Sequence, residues 1–298
     1  MDSQEIDKYN WKPRASKAGY YFGCNFRAAF DRAFETGDFQ LPEELQKKLV
    51  EDKQQERSAP ADFGTVTHWN MQQKMDCWFC PDHNEFPPIN LPAACTIAKY
   101  TEEQVTCAAN LFPSEEKMHA MSDKVAAQAI ELMPKKDGWY AESWFKTDVV
   151  EGHIDFLSLD LSTIVDLKTT STKPPGGRMR VEHMWQVAVY AYMVHKVTGT
   201  LPESAYVLYA GRNGDWTLQS KPIEFHTEKG REIINHVHSH LTFLCEDALY
   251  ATAVPNMACG CDWCPYTAHC RESYLPAKSY CRQYDSAEEA VVFNPLVL

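Results

Sequence analysis

Two short apolar runs, residues 153–159 and 163–169, constrain this chain more than any other feature, because each places an aspartate among β-branched and aliphatic neighbours. Runs of this length and pattern read as strands, and the short gap between them reads as a hairpin. With the turn at Asp160-Leu161, opposed residues sum to 321, so Asp155 sits directly across from Asp166. Directly opposed side chains share one face, with Cβ atoms ~5 Å apart. Two carboxylates so close repel strongly unless a cation lies between them, and a divalent metal ion meets that need. Lys168 is two residues beyond Asp166 and projects from the same face, beside the metal. There it would hold an attacking water or stabilise negative charge as it develops. Ile154, Phe156, Val165 and Leu167 then form the opposite, core-facing side. Asp-Leu is not a favoured two-residue turn, and a slip of one residue would break the facing arrangement. On these residues alone, a solvated hairpin with surface carboxylates remains the alternative reading.

The flanking sequence reads as an α/β chain. Residues 14–57 and 61–76 carry helical patterns, the second entered through Gly64, and 77–113 reads as an irregular insertion rich in Pro, Cys and Asn. A helix follows over 114–133, and 140–150 joins 153–159 and 163–169 as a third neighbouring strand. Residues 181–197 return to helical spacing, and 205–210 and 216–225 read as two further strands around the turn Gly211-Arg212-Asn213-Gly214. A long helix is expected over 227–250, then a cysteine-rich segment over 259–281 and a tail over 285–298. Helices, a compact sheet and helices again fit one domain spanning residues 1–298.

With 44% hydrophobic residues and eight tryptophans the chain can fill a core, and no run approaches the ~18 apolar residues of a membrane span. Its first residues carry no secretory signal, so a soluble, cytoplasmic protein is expected, without a membrane partner. A net charge of −12 excludes a surface coated in basic residues. A nucleic-acid partner needs only a local basic groove, and Lys168, Lys173, Arg178 and Arg180 gather in one stretch, which charge alone would leave as an ordinary solvated loop.

Four motifs in order carry a resemblance to a known family. Gly64-Thr-Val-Thr-His68, Gly152-His153-Ile154-Asp155, Val165-Asp166-Leu167-Lys168 and the Gln186-x-x-x-Tyr190 pair resemble the motifs of PD-(D/E)XK nucleases of the RecB-like branch. The resemblance implies a restriction-endonuclease-like α/β core, a central mixed sheet flanked by helices. It implies a catalytic group of Asp155, Asp166, Lys168, Gln186 and Tyr190, and Mg²⁺ or Mn²⁺ held by His68, Asp155, Asp166 and the carbonyl of Leu167. Gln186 and Tyr190 share one helical face, from which they would reach the substrate or the active-site strands. Glu142 lies on the strand before the hairpin, where related enzymes carry an extra acid; an exposed strand glutamate is the alternative.

Cys261-x2-Cys264-x5-Cys270 has spacing that suits zinc or iron–sulfur. The segment around Cys24 resembles the N-terminal cysteine segment of iron–sulfur RecB-like nucleases, a group that includes the AddB nuclease domain and the CRISPR-adaptation nucleases. That resemblance implies a [4Fe–4S] cluster on Cys24, Cys261, Cys264 and Cys270 joining the N- and C-terminal segments, with Cys259 a spare and zinc the alternative metal. Cys77, Cys80, His83 and Cys95 have zinc-like spacing of their own, against which packing or free thiols is the plainer account.

The activity implied is metal-dependent DNA exonuclease cleavage of ends or single strands, leaving 5′-phosphate and 3′-hydroxyl products, in recombination and repair, phage DNA processing or CRISPR adaptation. A non-cleaving DNA-binding or assembly protein that keeps the fold is the rival, and a zinc-stabilised scaffold the third reading. The acidic, partly apolar tail over 285–298 offers a partner a docking segment, although a frayed terminus explains it equally, and a homo-oligomer is compatible with the reading.

Overall fold

The computed structural model describes residues 11–37, 43–54, 59–75, 78–79, 98–99, 116–246, 264 and 266. Helices α1 (Ala15–Gly23), α2 (Asn25–Thr36), α3 (Glu43–Gln54) and α4 (Ala59–Lys74) come first. Strands β1 (Trp78–Phe79) and β2 (Ala98–Lys99) and helix α5 (Glu116–Ile130) lead to β3 (Trp139–Lys146), β4 (Glu151–Ser158) and β5 (Thr163–Thr170). Helix α6 (Val181–Thr198) connects β5 to β6 (Ser204–Gly211), and β7 (Thr217–Gln219), β8 (Ile223–Glu224) and α7 (Glu228–Cys245) follow.

The sheet has the order β2-β1-β3-β4-β5-β6-β7, with β8 also paired to β6. It is mixed: β3, β4 and β5 run antiparallel in turn, whereas β5 and β6 are parallel. Parallel neighbours need a crossover, and α6 provides it. Ten consecutive residues of α6, from Trp185 to Val194, are buried, as expected of a helix apolar on every side. It lies between the sheet and helices α1 and α7 in one core, built from residues such as Ala18, Tyr21, Ile164, Val207, Tyr209 and Leu241. Phe63, Met71, Val125 and Ala129 of α4 and α5 cover the other face, over Val165, Leu167, Leu208 and Ala210. The outcome is an α/β fold with helices on both faces of a central mixed sheet, consistent with the restriction-endonuclease-like expectation.

Three expectations change in detail. The strand expected over 216–225 is two strands, because Pro222 has no N–H to give the ladder; Ser220 fills the gap, its Oγ accepting from the Val207 N–H at 2.9 Å. The described part of 77–113 contributes β1 and β2 to the sheet edge; Cys77, Cys80, His83 and Cys95 lie outside the described residues. The last long helix ends at Cys245, where Glu246 is extended and the buried Arg32 guanidinium donates to the carbonyls of Cys245 and Glu246 at 3.3 and 2.9 Å. Those bonds supply a helix C-terminus with the cation its dipole favours.

The neighbouring residue of α2 ties a second element. Asp31 is buried and accepts from Tyr21 Oη at 2.7 Å, Lys17 Nζ at 3.2 Å and Tyr266 Oη at 2.6 Å. Tyr266 stacks on Phe30, and Cys24 and Cys264 pack against the same small cluster. Cys264 and Tyr266 are therefore seated on α2 beside Cys24. Cys261 and Cys270, the spare Cys259 and the 285–298 tail lie outside the described residues.

Helix α1 crosses the start of α6 at Gly19, where an added Cβ would lie 1.9 Å from the Glu182 carbonyl oxygen. Only backbone movement relieves a clash of that size, because the obstructing atom is itself backbone. Gly19→Ala is expected to cost about 1–3 kcal/mol of stability, the range of overpacked cores. Urea unfolding of the variant and wild type reads this, and an unchanged midpoint would show that α1 is not pressed against α6.

Candidate active site

The β4–β5 ladder has the register expected from the sequence: Phe156 pairs with Val165 and Leu157 with Ile164. The connection is longer than two residues, since the strands stop at Ser158 and Thr163. Leu161 takes φ +60 with its side chain buried, and the Asp160 carboxylate accepts from Ser158 Oγ, Ser162 Oγ and the Ser162 N–H. A turn carrying Asp160 in this way satisfies its own polar groups, which offsets the unfavoured Asp-Leu pair at its centre.

Beyond Phe156 and Val165 the ladder stops. The Leu167 N–H donates to Asp155 Oδ2 at 2.9 Å, so a side chain replaces the backbone partner and the two strands part there. The β3–β4 ladder has a matching gap, with pairs on either side of Glu142 and Asp155 but none between them. Glu142 has φ +48, a conformation uncommon for any residue but glycine. Across these two positions the strands exchange faces. Ala141 and Phe156 belong to the α4–α5 core, whereas Phe145 and Ile154 belong to the α1–α6–α7 core. The expectation that Ile154 shares a face with Phe156, Val165 and Leu167 fails for this reason, and both faces of the hairpin are buried. Backbone held in a rare conformation costs of order 1–3 kcal/mol and tends to mark functional sites.

His68 comes from α4, one turn after Gly64, where an added Cβ would lie 3.2 Å from Thr169 Oγ1. That close approach of α4 to β5 brings His68 Nε2 within 2.9 Å of the Leu167 carbonyl oxygen. His68 Nδ1 lies 3.5 Å from Asp155 Oδ2 and 3.8 Å from Glu142 Oε1. Glu142 also accepts from Gln72 Nε2 at 3.0 Å. Burial opposes charge on His68, but Asp155 and Glu142 outweigh it and hold the imidazole up to about 9. Burial likewise works against the Glu142 carboxylate, and the bond to His68 outweighs it, lowering that group.

Asp166 and Lys168 lie on the α6 face of β5, in register with Val207 and Tyr209 of β6. Asp166 is fully buried; its Oδ1 accepts from Lys168 Nζ at 2.9 Å and its Oδ2 has no partner among the described residues. Burial pushes its carboxyl up to about 7, with the Asp155 charge adding and Lys168 opposing. Lys168 stays a cation: burial disfavours its charge, but Asp166 and Asp155 more than compensate and raise it. Behind them, Gln186 Nε2 donates to Tyr190 Oη at 2.6 Å, and both side chains are buried. Burial and the two aspartates hold the Tyr190 phenol far above its ordinary range, so it remains a neutral proton donor. The pair thus faces the active-site strands from within α6.

His68, Glu142 and Asp155 each offer a ligand atom, all within 4.8 Å of one another. Two carboxylates, an imidazole and the adjacent Leu167 carbonyl form a hard donor set suited to Mg²⁺ or Mn²⁺. The unpartnered Asp166 Oδ2 adds a buried anion that needs a proton or a cation. The residues present therefore fit a divalent metal. Relative to the set expected from the sequence, Glu142 joins His68 and Asp155, while Asp166 stands apart, bonded to Lys168. The only signal for Glu142 in the sequence is its place on the strand before the hairpin, since nothing local foretells a glutamate at positive φ.

Among curated proteins, none matches this sequence. A crystal structure named "Putative exonuclease" from Eubacterium rectale aligns over 94% of this chain and 95% of its own, at 12% identity and a TM-score of 0.43. The crystal structure of SSO0001 aligns over 79% of this chain and 95% of its own, at 12% identity and a TM-score of 0.30. Both likenesses are too slight to carry an argument. The family model of the PD-(D/E)XK nuclease superfamily, in contrast, matches residues 15–271, a span that takes in α1, the parted hairpin with its Asp155, Asp166 and Lys168, and Cys261, Cys264 and Cys270, and the chain belongs to that superfamily.

Proposed function

We propose that this nuclease is a metal-dependent deoxyribonuclease, an exonuclease acting on DNA ends or single strands, stapled by a [4Fe–4S] cluster. The observation that carries the catalytic reading is the Lys168–Asp166 pair beside the His68–Glu142–Asp155 group, where β4 and β5 separate. A divalent cation held by His68, Glu142, Asp155 and the Leu167 carbonyl, with Asp166 as a further ligand, would polarise the phosphodiester and acidify a bound water. The remaining roles belong to side chains. Lys168, fixed by Asp166, offers a cation to the attacking water and to the charge that develops on phosphorus. Gln186 and Tyr190 fill the space behind the aspartates and keep water from them. Lys173 and Arg178 lie exposed beyond β5, where a phosphate backbone would pass, while Arg180 braces that loop through Thr172 O at 3.0 Å.

Lys168→Ala is expected to lower cleavage of linear DNA in Mg²⁺ or Mn²⁺ by about 10²–10⁴-fold, the usual worth of a group acting on the transition state. End-labelled single- and double-stranded substrates read both rate and polarity. Equal activity of variant and wild type would sink the site, and wild type that binds DNA but never cleaves it would support the non-cleaving rival.

The pH dependence of metal binding follows from the protons the site holds. The Asp166 carboxyl, raised to about 7, and the His68 imidazole, raised to about 9, must each lose a proton before ligating a cation. Mn²⁺ affinity should rise between about pH 6 and 9, with protons released, as titration calorimetry in buffers of different ionisation enthalpy would register. Both folded values exceed the unfolded ones of about 3.9 and 6.5. The contribution of these groups to stability is therefore full below the unfolded values and lost as pH rises through about 7 and then about 9. Metal-free protein should lose stability over that interval and regain it with Mn²⁺. A flat affinity across the interval would count against these ligands.

For the cluster, Cys24 and Cys264 pack on one aromatic patch, and Cys261 and Cys270 complete the proposed four. Protein purified without oxygen should be brown with broad visible absorption, and Cys264→Ala should bleach it and lower the thermal midpoint. Colourless protein with stoichiometric zinc would replace the cluster by zinc.

A further inference from the structure

Opposite each other on β3 and β4 stand Trp144 and His153, a directly paired cross-strand couple with ring centroids 4.5 Å apart and planes at 57°. Their neighbours Phe145 and Ile154 point into the α1–α6–α7 core, so Trp144 and His153 project to the opposite face. That is the face from which α4 brings His68 and Gln72 to Glu142. Along each strand the couple is two residues from Glu142 and Asp155, about 7 Å by strand rise. That is roughly one nucleotide step of an extended strand. His153 is exposed and close enough to help lower the Glu142 carboxyl, and Trp144 is half-buried and joins neither core.

A cross-strand aromatic pair also stabilises a sheet, and that alone would explain its presence. Its position argues for more. An indole left partly open, with an exposed imidazole tilted against it, forms a shallow angled shelf at the mouth of a site built to hold a phosphodiester. Every base has a π-face, so such a shelf accepts a nucleobase without regard to sequence. An unpaired nucleotide can turn that face onto an angled shelf where a base inside a duplex cannot, which favours single-stranded or frayed ends.

We propose that Trp144 and His153 form a base-stacking subsite that receives one unpaired nucleotide next to the scissile phosphate and gives the enzyme its preference for single strands. The inference rests on the nuclease reading above and names the substrate form that site takes. Trp144 acts there by binding and orientation, not in the chemical step, so its loss should appear in KM and in affinity.

The test is an abasic scan. Single-stranded oligothymidylates, each with one abasic residue at a successive position from the end, are bound to the Lys168→Ala protein and cut by the Lys168 enzyme, with and without Trp144→Ala. Where Trp144 is intact, one abasic position should weaken binding and raise KM about tenfold, the scale of one lost base–aromatic stack. Trp144→Ala should impose that loss on every oligonucleotide and abolish the dependence on abasic position, with kcat within about twofold; Trp144→Phe should restore both. His153→Ala, at an exposed position, repeats the test without touching the sheet interior, and should blunt the same abasic position. Duplex substrates with blunt ends should show a smaller Trp144 effect than single strands. A flat abasic profile in an active wild type would overturn the subsite while leaving the nuclease reading standing, and so would identical profiles in wild type and Trp144→Ala. Wild type that neither binds nor cuts any DNA would overturn both.

Discussion

The bond from the Leu167 N–H to the Asp155 carboxylate is the interaction on which the site depends. An antiparallel hairpin that kept its ladder would close the space between β4 and β5 with backbone hydrogen bonds. Here Asp155 takes one of those donors with its side chain, and the strands part beyond the Phe156–Val165 pair. The parting costs ladder bonds but leaves no donor unpaired, since the carboxylate replaces the lost carbonyl. It also exposes the Leu167 carbonyl, which His68 reaches from the other side of the sheet. A sheet covered on both faces by helices has few places where groups from both faces can meet, and a fork between two strands is one of them. Asp166 and Lys168 approach from the α6 face, His68 and Gln72 from the α4 face, and they converge at this gap.

Much of this was legible in the sequence, and the reasons differ by element. The hairpin register followed from placing the turn at Asp160-Leu161, which set opposed residues summing to 321, as the Phe156–Val165 and Leu157–Ile164 pairs do. Helix α6 followed from the return to helical spacing over residues 181–197. The set of four motifs carried the family, and the spacing of Gly64 and His68 has a plain physical sense: the glycine lets α4 lie close to β5, and the histidine one turn later reaches across. What escaped the sequence lies where alternation breaks. Glu142 and Asp155 mark a change of face on two adjacent strands, so counting by twos assigned Ile154 to the wrong core and left Glu142 marked only by its place on the strand before the hairpin. No glycine or asparagine announces the positive φ at Glu142. Its conformation is set from outside, by Gln72 and His68 on one side and the parted hairpin on the other.

The division of labour between the two carboxylate sets follows from burial. Asp166 is fully enclosed, and its carboxyl rises to about 7 even with Lys168 bonded to it. Glu142 is more open and gathers donors from His68 and Gln72, which keep it ionised. A cation arriving at the fork would therefore meet one ready carboxylate in Glu142 and one in Asp166 that must first lose its proton. Lys168 gains from the same arrangement, since the negative charge of Asp166 and Asp155 holds it protonated in a setting that would otherwise neutralise it. The ammonium and the cation site thus share the aspartates, and each limits how much negative charge the other sees.

Helix α1 presses on the start of α6 at Gly19, and it is held from behind by Asp31 through Tyr21 and Lys17. Asp31 also holds Tyr266, and Arg32 beside it caps α7, so two adjacent residues of α2 gather three elements that are distant in sequence. These bonds need no metal. A cluster at Cys24 and Cys264 would close the same seam covalently, at the point where Tyr266 stacks on Phe30. Its loss would leave the hydrogen bonds of Asp31 and Arg32 in place, with Tyr266 still held by Asp31. The effect would reach Lys168 only through the packing of α1 on α6. A cluster in that position would act on catalysis by setting how firmly one wall of the fork is held, and the chemistry would stay with the carboxylates and the lysine.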